Sequence, residues 1–182
     1  MALSTIKENN NSVNIYLEIS AEKSKASKAF QQMQLYANLI YFKQREIEIM
    51  SKKLDTCISD MNASMENLGN LTEFTQDAEM SAAYETWSTT VKDFTDYCSE
   101  ILAEADAGNF DAVQSMVDGM LPHLESAQTA ENTYDDLVSE KRTAVQELSA
   151  LRIDQVRNLG GISMVFFHCT GSDDCCSDCY GR

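Results

Sequence analysis

Residues 74–109 read FTQDAEMSAAYETWSTTVKDFTDYCSEILAEADAGN. Within them Met80, Tyr84, Trp87, Val91, Phe94, Cys98, Ile101 and Ala105 recur at alternating steps of four and three. Such steps put side chains on one helical stripe, and a mean period of about 3.5 marks helices packed nearly parallel to their neighbours. The spacing predicts a helix over 74–107. Gly108 can end it, because glycine takes the left-handed conformation without a Cβ clash. Asn109 is placed to cap the following helix, with Asp111 in its first turn complementing the dipole.

The same rhythm extends on both sides. Upstream, Ile47, Met50, Leu54, Cys57 and Met61 step by three and four, and Met65 and Leu68 continue after one phase shift. Gly69-Asn70 is expected to close this helix, with Thr72 or Thr75 capping the next. Downstream, a helix over 110–158 carries Val113, Val117, Met120, Leu124 and Ala127, then a looser stripe of Tyr134, Leu137, Ala144, Leu148 and Leu151. Pro122 lies inside it, so a bend is expected near 118–122, made easier by Gly119. The first segment, 4–42, is less regular. Val13, Tyr16 and Ile19 form one apolar patch and Phe30, Met33, Ala37 and Ile40 another, with the small polar stretch SAEKSKASK at 20–28 between them. The reversal into the second helix is placed at 42–45; the alternative is one helix running to Leu68. Four segments of this kind predict an all-α fold, an elongated antiparallel up-down-up-down four-helix bundle. Trp87 is the expected anchor of its middle layer.

Composition agrees. The chain has 182 residues, 43% of them hydrophobic, enough for one domain with a real core. It has one proline and seven glycines, too few breakers for a strand-rich fold. Fourteen basic residues against 29 acidic ones give a formal charge of −15. That balance argues against nucleic acid, which needs clustered Lys and Arg, and against docking on an anionic membrane face. Met1-Ala2-Leu3-Ser4 leads into polar residues with no signal-peptide pattern. The apolar run LGGISMVFFHC at 159–169 is shorter than the ~20 residues of a membrane span.

Catalytic patterns are missing from the sequence: there is no HExxH, no GxGxxG and no phosphate-binding loop. Glu125 follows His123 instead of preceding it by three, so the Glu-x-x-His of di-iron bundles is absent too. No enzyme and no cofactor are expected. Cysteine is the exception. Cys57 and Cys98 fall on the helical seams, where the thiol acts as a small core hydrophobe. Cys169, Cys175, Cys176 and Cys179 cluster near the end beside His168. Zinc takes four Cys or His ligands, often through a Cys-x₂₋₄-Cys clip. Cys176 and Cys179 make one clip, with His168 and Cys169 as the remaining candidate ligands. The competing reading is an unstructured tail.

The stretch at 82–128 resembles the second half of a known sensor. Trp87 followed by Phe94 and Tyr97, the turn Ala107-Gly108-Asn109, and the stripe opening with Ala112 and Met116 are similar to the third and fourth helices of the four-helix-bundle ligand-binding domain of methyl-accepting chemotaxis proteins. With the order of four segments, the resemblance covers residues 5–165. It implies an extracytoplasmic bundle between two membrane spans, the fourth helix running into the second span. Arg152, Arg157 and the run from Leu159 look like the start of such a span, cut short. The resemblance also implies a homodimer that senses a small molecule or a periplasmic-type binding protein and signals by a small displacement of the fourth helix. The family's best-known amino-acid receptors hold a carboxylate with arginines on the first and fourth helices. Here the first helix offers Lys23, Lys25 and Lys28 and the fourth Arg142, so no ligand residues carry over.

The expected organisation is a sensor-like bundle at 1–158, the start of a truncated membrane segment at 159–168 and a Cys-rich tail at 169–182. The expected function is the ligand-sensing part of a bacterial chemoreceptor at the cell membrane, as a fragment without its signalling region. Two alternatives stand beside it: a helical interaction or coiled-coil protein without ligand, and a small zinc-binding protein acting through its tail.

Overall fold

The computed structural model describes the backbone of residues 2–170 and the side chains of residues 13–155. The fold is all-α; no strand occurs among the described residues. Five α-helices follow one another: α1 (Ala2–Phe42), α2 (Ile47–Thr75), α3 (Ala78–Asp106), α4 (Phe110–Gly119) and α5 (Leu121–Thr170). A single 3₁₀ turn, Gln44–Glu46, joins α1 to α2. No helix among the described residues is long and apolar enough to cross a membrane.

The chain divides into two compact units, residues 14–142 and residues 1–13 with 143–182. The larger unit contains the seams. Met80, Trp87, Val91, Phe94, Cys98, Ile101 and Ala105 on α3 are all buried, as are Met50, Leu54, Cys57, Met61, Met65 and Leu68 on α2. α1 contributes Tyr16, Ile19, Phe30, Met33, Ala37 and Ile40, together with Ala26 from the stretch read as polar and Ala29 just after it. Val113, Met120, Leu124, Ala127 and Tyr134 complete the core. The second stripe of the last helix departs from its expected phase. Val138, one turn after Tyr134, is buried, whereas Leu137 is only half-buried. In the smaller unit, Leu148, Leu151 and Ile153 are exposed, so the stripe ends near Val138.

The helix boundaries keep some expectations and correct others. The helix breaks after Phe42, near the expected position, and the single helix running to Leu68 does not form. α2 does not stop at Gly69-Asn70: it continues to Thr75 and ends where Gln76 turns left-handed at φ 54°. Phe74 accordingly belongs to the last turn of α2, and α3 starts four residues later. Asp77, not a threonine, caps α3, accepting hydrogen bonds from the N–H groups of Glu79 and Met80 at 3.0 and 3.1 Å. Gly108 ends α3 as expected, at φ 75°. Asn109 occupies the N-cap position of α4, but its side chain donates to Glu104 Oε2 instead. The helix expected over 110–158 is interrupted at Met120, and Pro122 sits in the first turn of α5, where its missing N–H costs little.

The glycines Gly69 and Gly119 have a role that the pattern did not reveal. Tyr84 Oη donates to the Met65 carbonyl at 2.6 Å, and Tyr97 Oη donates to the Met116 carbonyl at 2.6 Å. Each tyrosine lies against the next turn of the helix it reaches. A Cβ built on Gly69 would stand 2.7 Å from Tyr84 Oη, and one on Gly119 would stand 3.1 Å from Tyr97 Oη. These glycines are therefore landing sites for tyrosines from α3, and only Gly119 also lies at a break.

Gly69→Ala separates two opposing effects. Alanine favours a helix interior by about 1 kcal/mol over glycine, but here it collides with Tyr84. We expect the single substitution to be destabilising in urea unfolding. In a Tyr84→Ala background the same change should turn stabilising, by about 1 kcal/mol. Equal effects in both backgrounds would refute the landing-site role.

Candidate functional site

Two parts of the larger unit combine polar groups with burial. The first lies where α5 meets α1 and the α2–α3 turn. Tyr134, fully buried, shares a 2.6 Å hydrogen bond with the buried Thr72 hydroxyl. Its ring packs against Trp87 at 5.3 Å and Tyr84 at 6.3 Å between centroids. Burial pushes the Tyr134 phenol up to about 12, so it stays neutral and serves as a hydrogen-bonding group. Two turns further along α5, Lys141 Nζ reaches Asp77 Oδ2 and Glu79 Oε2, both at 2.8 Å. Lys23 pairs with Asp135 at 2.8 Å, and the Ser27 hydroxyl donates to Glu131.

Asp77 thus does two things: it caps α3 and it receives Lys141. The lysine's hydrogen bond, followed by the Met80 N–H, holds the Asp77 carboxyl below its usual value of 3.8. The same contacts, Asp77 first and then Glu79, raise Lys141 above its usual 10.5. Tyr16 feels both charges, and burial is the larger reason that its phenol is raised.

The second part is a groove of about 340 Å³ between α1 and α2, lined by Glu22, Lys25, Lys28, Ala29, Gln32, Asp60, Ala63, Ser64 and Asn67. It exists because small residues, Ala29, Ala63 and Ser64, occupy its lining where larger ones would fill the gap. Lys25 Nζ bonds Glu22 Oε1 at 2.6 Å. Glu22 Oε2 is buried and has no hydrogen-bond partner within the protein. Lys28 and Asp60 face the groove from opposite helices, and neither makes an ion pair among the described residues. At one end Gln32 Oε1 accepts a weak bond from Cys57 Sγ at 3.9 Å.

Other surface depressions are chemically poorer. A groove between α3 and α5 is lined by Thr86, Thr90, Thr129 and Thr133. Each of these hydroxyls already donates to a carbonyl of its own helix, at 2.7–3.0 Å. A depression at 41–46 is built from consecutive residues of the α1–α2 bend alone.

The sequence-derived metal candidates do not come together in what the structure describes. The backbone of α5 is helical through His168 and Cys169, but their side chains lie outside the described residues, and Cys176 and Cys179 lie outside them altogether. Among the described residues no group of three or more His, Cys, Asp or Glu could hold a metal ion. Cys57 and Cys98 are buried free thiols, and burial pushes Cys98 up to about 12, which leaves it an inert core group. His123 stacks on Tyr97, with centroids 4.4 Å apart. The groove residues sit in and opposite the small polar stretch at 20–28. Its signal in the sequence was that smallness, but a single-helix pattern cannot show which residues lie opposite. Comparison with protein-family models, with curated proteins and with solved structures finds no match.

Two substitutions test the buried part of this arrangement. Tyr134→Phe should cost about 1–3 kcal/mol, because it leaves the Thr72 hydroxyl buried and unpaired. Adding Thr72→Val should recover most of that loss in denaturant titrations. The Asp77–Lys141 pair should also shape acid stability. A carboxyl held below its unfolded value contributes stability at neutral pH and loses it as pH falls through the folded value. Asp77→Asn should therefore be less stable than the parent at pH 7, with the gap closing below pH 3.8. Lys141 adds no acid limb, since a raised lysine keeps its contribution until pH rises through its folded value.

Proposed function

We propose that residues 14–142 form an antiparallel up-down-up-down four-helix bundle acting as the ligand-sensing module of a chemoreceptor-type protein. Its place is the extracytoplasmic side of the cell membrane. The observation that carries this reading is the concentration of polar ties on one stretch of α5. Glu131, Tyr134, Asp135 and Lys141 each bond a partner on α1, on α2 or at the α2–α3 turn. Apolar surfaces tolerate small slips, whereas hydrogen bonds of fixed length specify one register. A helix held that way has discrete positions, which a displacement signal requires. The antiparallel arrangement is supported by paired contacts whose order reverses between helices. On α1 and α2, Gln32 meets Cys57 and Tyr36 meets Lys53. On α1 and α5, Lys23 meets Asp135 and Ser27 meets Glu131. The resemblance at 82–128 supplies the family, and Arg152 and Arg157 before the apolar run from Leu159 suit a membrane surface.

The partner in this reading is a second copy. Leu17, Leu35 and Phe42 are exposed and stand eighteen and seven residues apart, five turns and two, which places them on one face of α1. A helix of the second copy can cover that face. A protein that pairs through α1 but binds no ligand remains the competing reading, and the same exposed face favours it.

The test is a hybrid receptor in which this chain replaces the ligand-binding domain of a chemoreceptor with known output. The expected result is a compound-dependent change in kinase control, lost or locked when Lys141→Ala removes the tie. Sedimentation should show a dimer that Leu35→Glu weakens. A strictly monomeric chain at high concentration, or a hybrid that assembles but answers no compound in a broad metabolite panel, would sink the proposal.

A further inference from the structure

We infer that α4 is a flap that opens from α3 on its own, pivoting at Met120, with Tyr97 as the latch that holds it shut. This does not depend on the sensing reading. It assigns motion to the part of the last helical segment that the polar ties of α5 leave free.

The break between α4 and α5 creates the latch. In an uninterrupted helix the Met116 carbonyl would accept the N–H of Met120, four residues on. Here that N–H goes to the Val117 carbonyl at 3.3 Å, and the Met116 carbonyl accepts the Tyr97 hydroxyl at 2.6 Å instead. Pro122 has no N–H to offer the Asp118 carbonyl, four residues back. The ring of Tyr97 stacks on His123, in the first turn of α5, with centroids 4.4 Å apart. One side chain of α3 therefore touches both sides of the break. Its hydroxyl holds α4, and its ring leans on α5.

Little else holds α4. It has 10 residues and buries only Val113 fully, while Met116 and Val117 are half-buried. A helix shorter than ~12–15 residues is marginal by itself in water, so α4 depends on its docking. Its N-terminus has no side-chain cap, since Asn109 donates to Glu104. Among the described residues no ion pair reaches α4, and the Tyr97–Met116 bond is its one hydrogen bond to another helix. The pivot is better anchored. Met120 and Leu124 are buried, and the Leu124 N–H bonds the Met120 carbonyl at 3.2 Å. The ties of α5 through Glu131, Tyr134, Asp135 and Lys141 begin about three turns beyond Met120. α4 can leave α3 without disturbing them. Elements with few buried contacts are the ones that open locally while the rest of a protein stays folded.

Amide hydrogen exchange of the full chain, followed in rising urea below the unfolding transition, tests this. Amides 114–119 should exchange at least about tenfold faster than the slowest amides of α2 and α3. Their rate should hardly change with urea, because opening so short a helix exposes little surface. Tyr97→Phe keeps the ring on His123 and removes only the hydroxyl. It should speed exchange at 114–119 about three- to tenfold, the loss of one hydrogen bond, with the flat urea dependence kept. Leu54→Ala removes a fully buried side chain of α2. It should speed the slowest amides of α2 and α3 and leave 114–119 within about twofold, since the flap opens with α2 intact. The urea series needs no substitution, so it decides the matter even if Leu54→Ala fails to fold. Amides 114–119 that are as slow and as urea-dependent as those of α3 would show that α4 opens only with the whole bundle, and would overturn the inference. Exchange there that Tyr97→Phe leaves unchanged would overturn the latch.

Discussion

The spacing between α3 and its neighbours is set by two tyrosines landing on two glycines. Tyr84 reaches α2 and Tyr97 reaches α4, each ending on a main-chain carbonyl and each lying against a glycine turn without a Cβ. The two tyrosines are thirteen residues apart, which turns them to nearly opposite sides of α3. α3 is therefore fixed from two directions by contacts with one allowed length. Trp87, Phe94 and Ile101 fill the interior beside them, and Phe94 meets Phe30 of α1 with ring centroids 4.9 Å apart. If the Gly69 site were filled, Tyr84 would have to shift off its carbonyl; at Gly119 the looser fit asks Tyr97 to give by only a few tenths of an ångström.

The same economy appears at the α2–α3 turn. Gln76 takes the left-handed conformation that ends α2, and Asp77 begins α3 by accepting two N–H groups. Lys141 then binds the capping carboxylate from α5. One residue thus joins local chain reversal to the register of a helix distant in sequence. This coupling is why the polar contacts of α5 are more than surface ion pairs, whose isolated worth is small. Tyr134 and Thr72 do the same work one level deeper, where an unpaired hydroxyl would be costly.

Much of this was legible in the sequence. The seam from Met80 to Ala105, the seam from Met50 to Leu68 and the turn at Gly108 follow from helical periodicity and from the steric freedom of glycine. Each is a property of a single segment. Gly69 misled for a physical reason: a glycine after an apolar stripe ordinarily marks a helix end, yet here it accommodates a side chain from α3. Asp77 was passed over because any of several polar residues near it can cap a helix, and its pairing with Lys141 spans more than sixty positions. Leu148 and Leu151 continued an apparent stripe that the core no longer uses beyond Val138.

The candidate groove shows the same division. The smallness of residues 20–28 is visible in the sequence, and it predicts that something about α1 differs there. Only the facing of α1 by Asp60, Ser64 and Asn67 turns a thinly packed stretch into a groove with balanced charge. The sequence by itself determined that the chain is helical, where its main apolar stripes lie and that its surface is acidic, because these depend on neighbours three and four residues apart. The tertiary structure decided which glycine is a stop and which is a landing site, which acid holds which base, and where room is left between helices. Those depend on side chains brought together from different segments, and no local pattern encodes their distance.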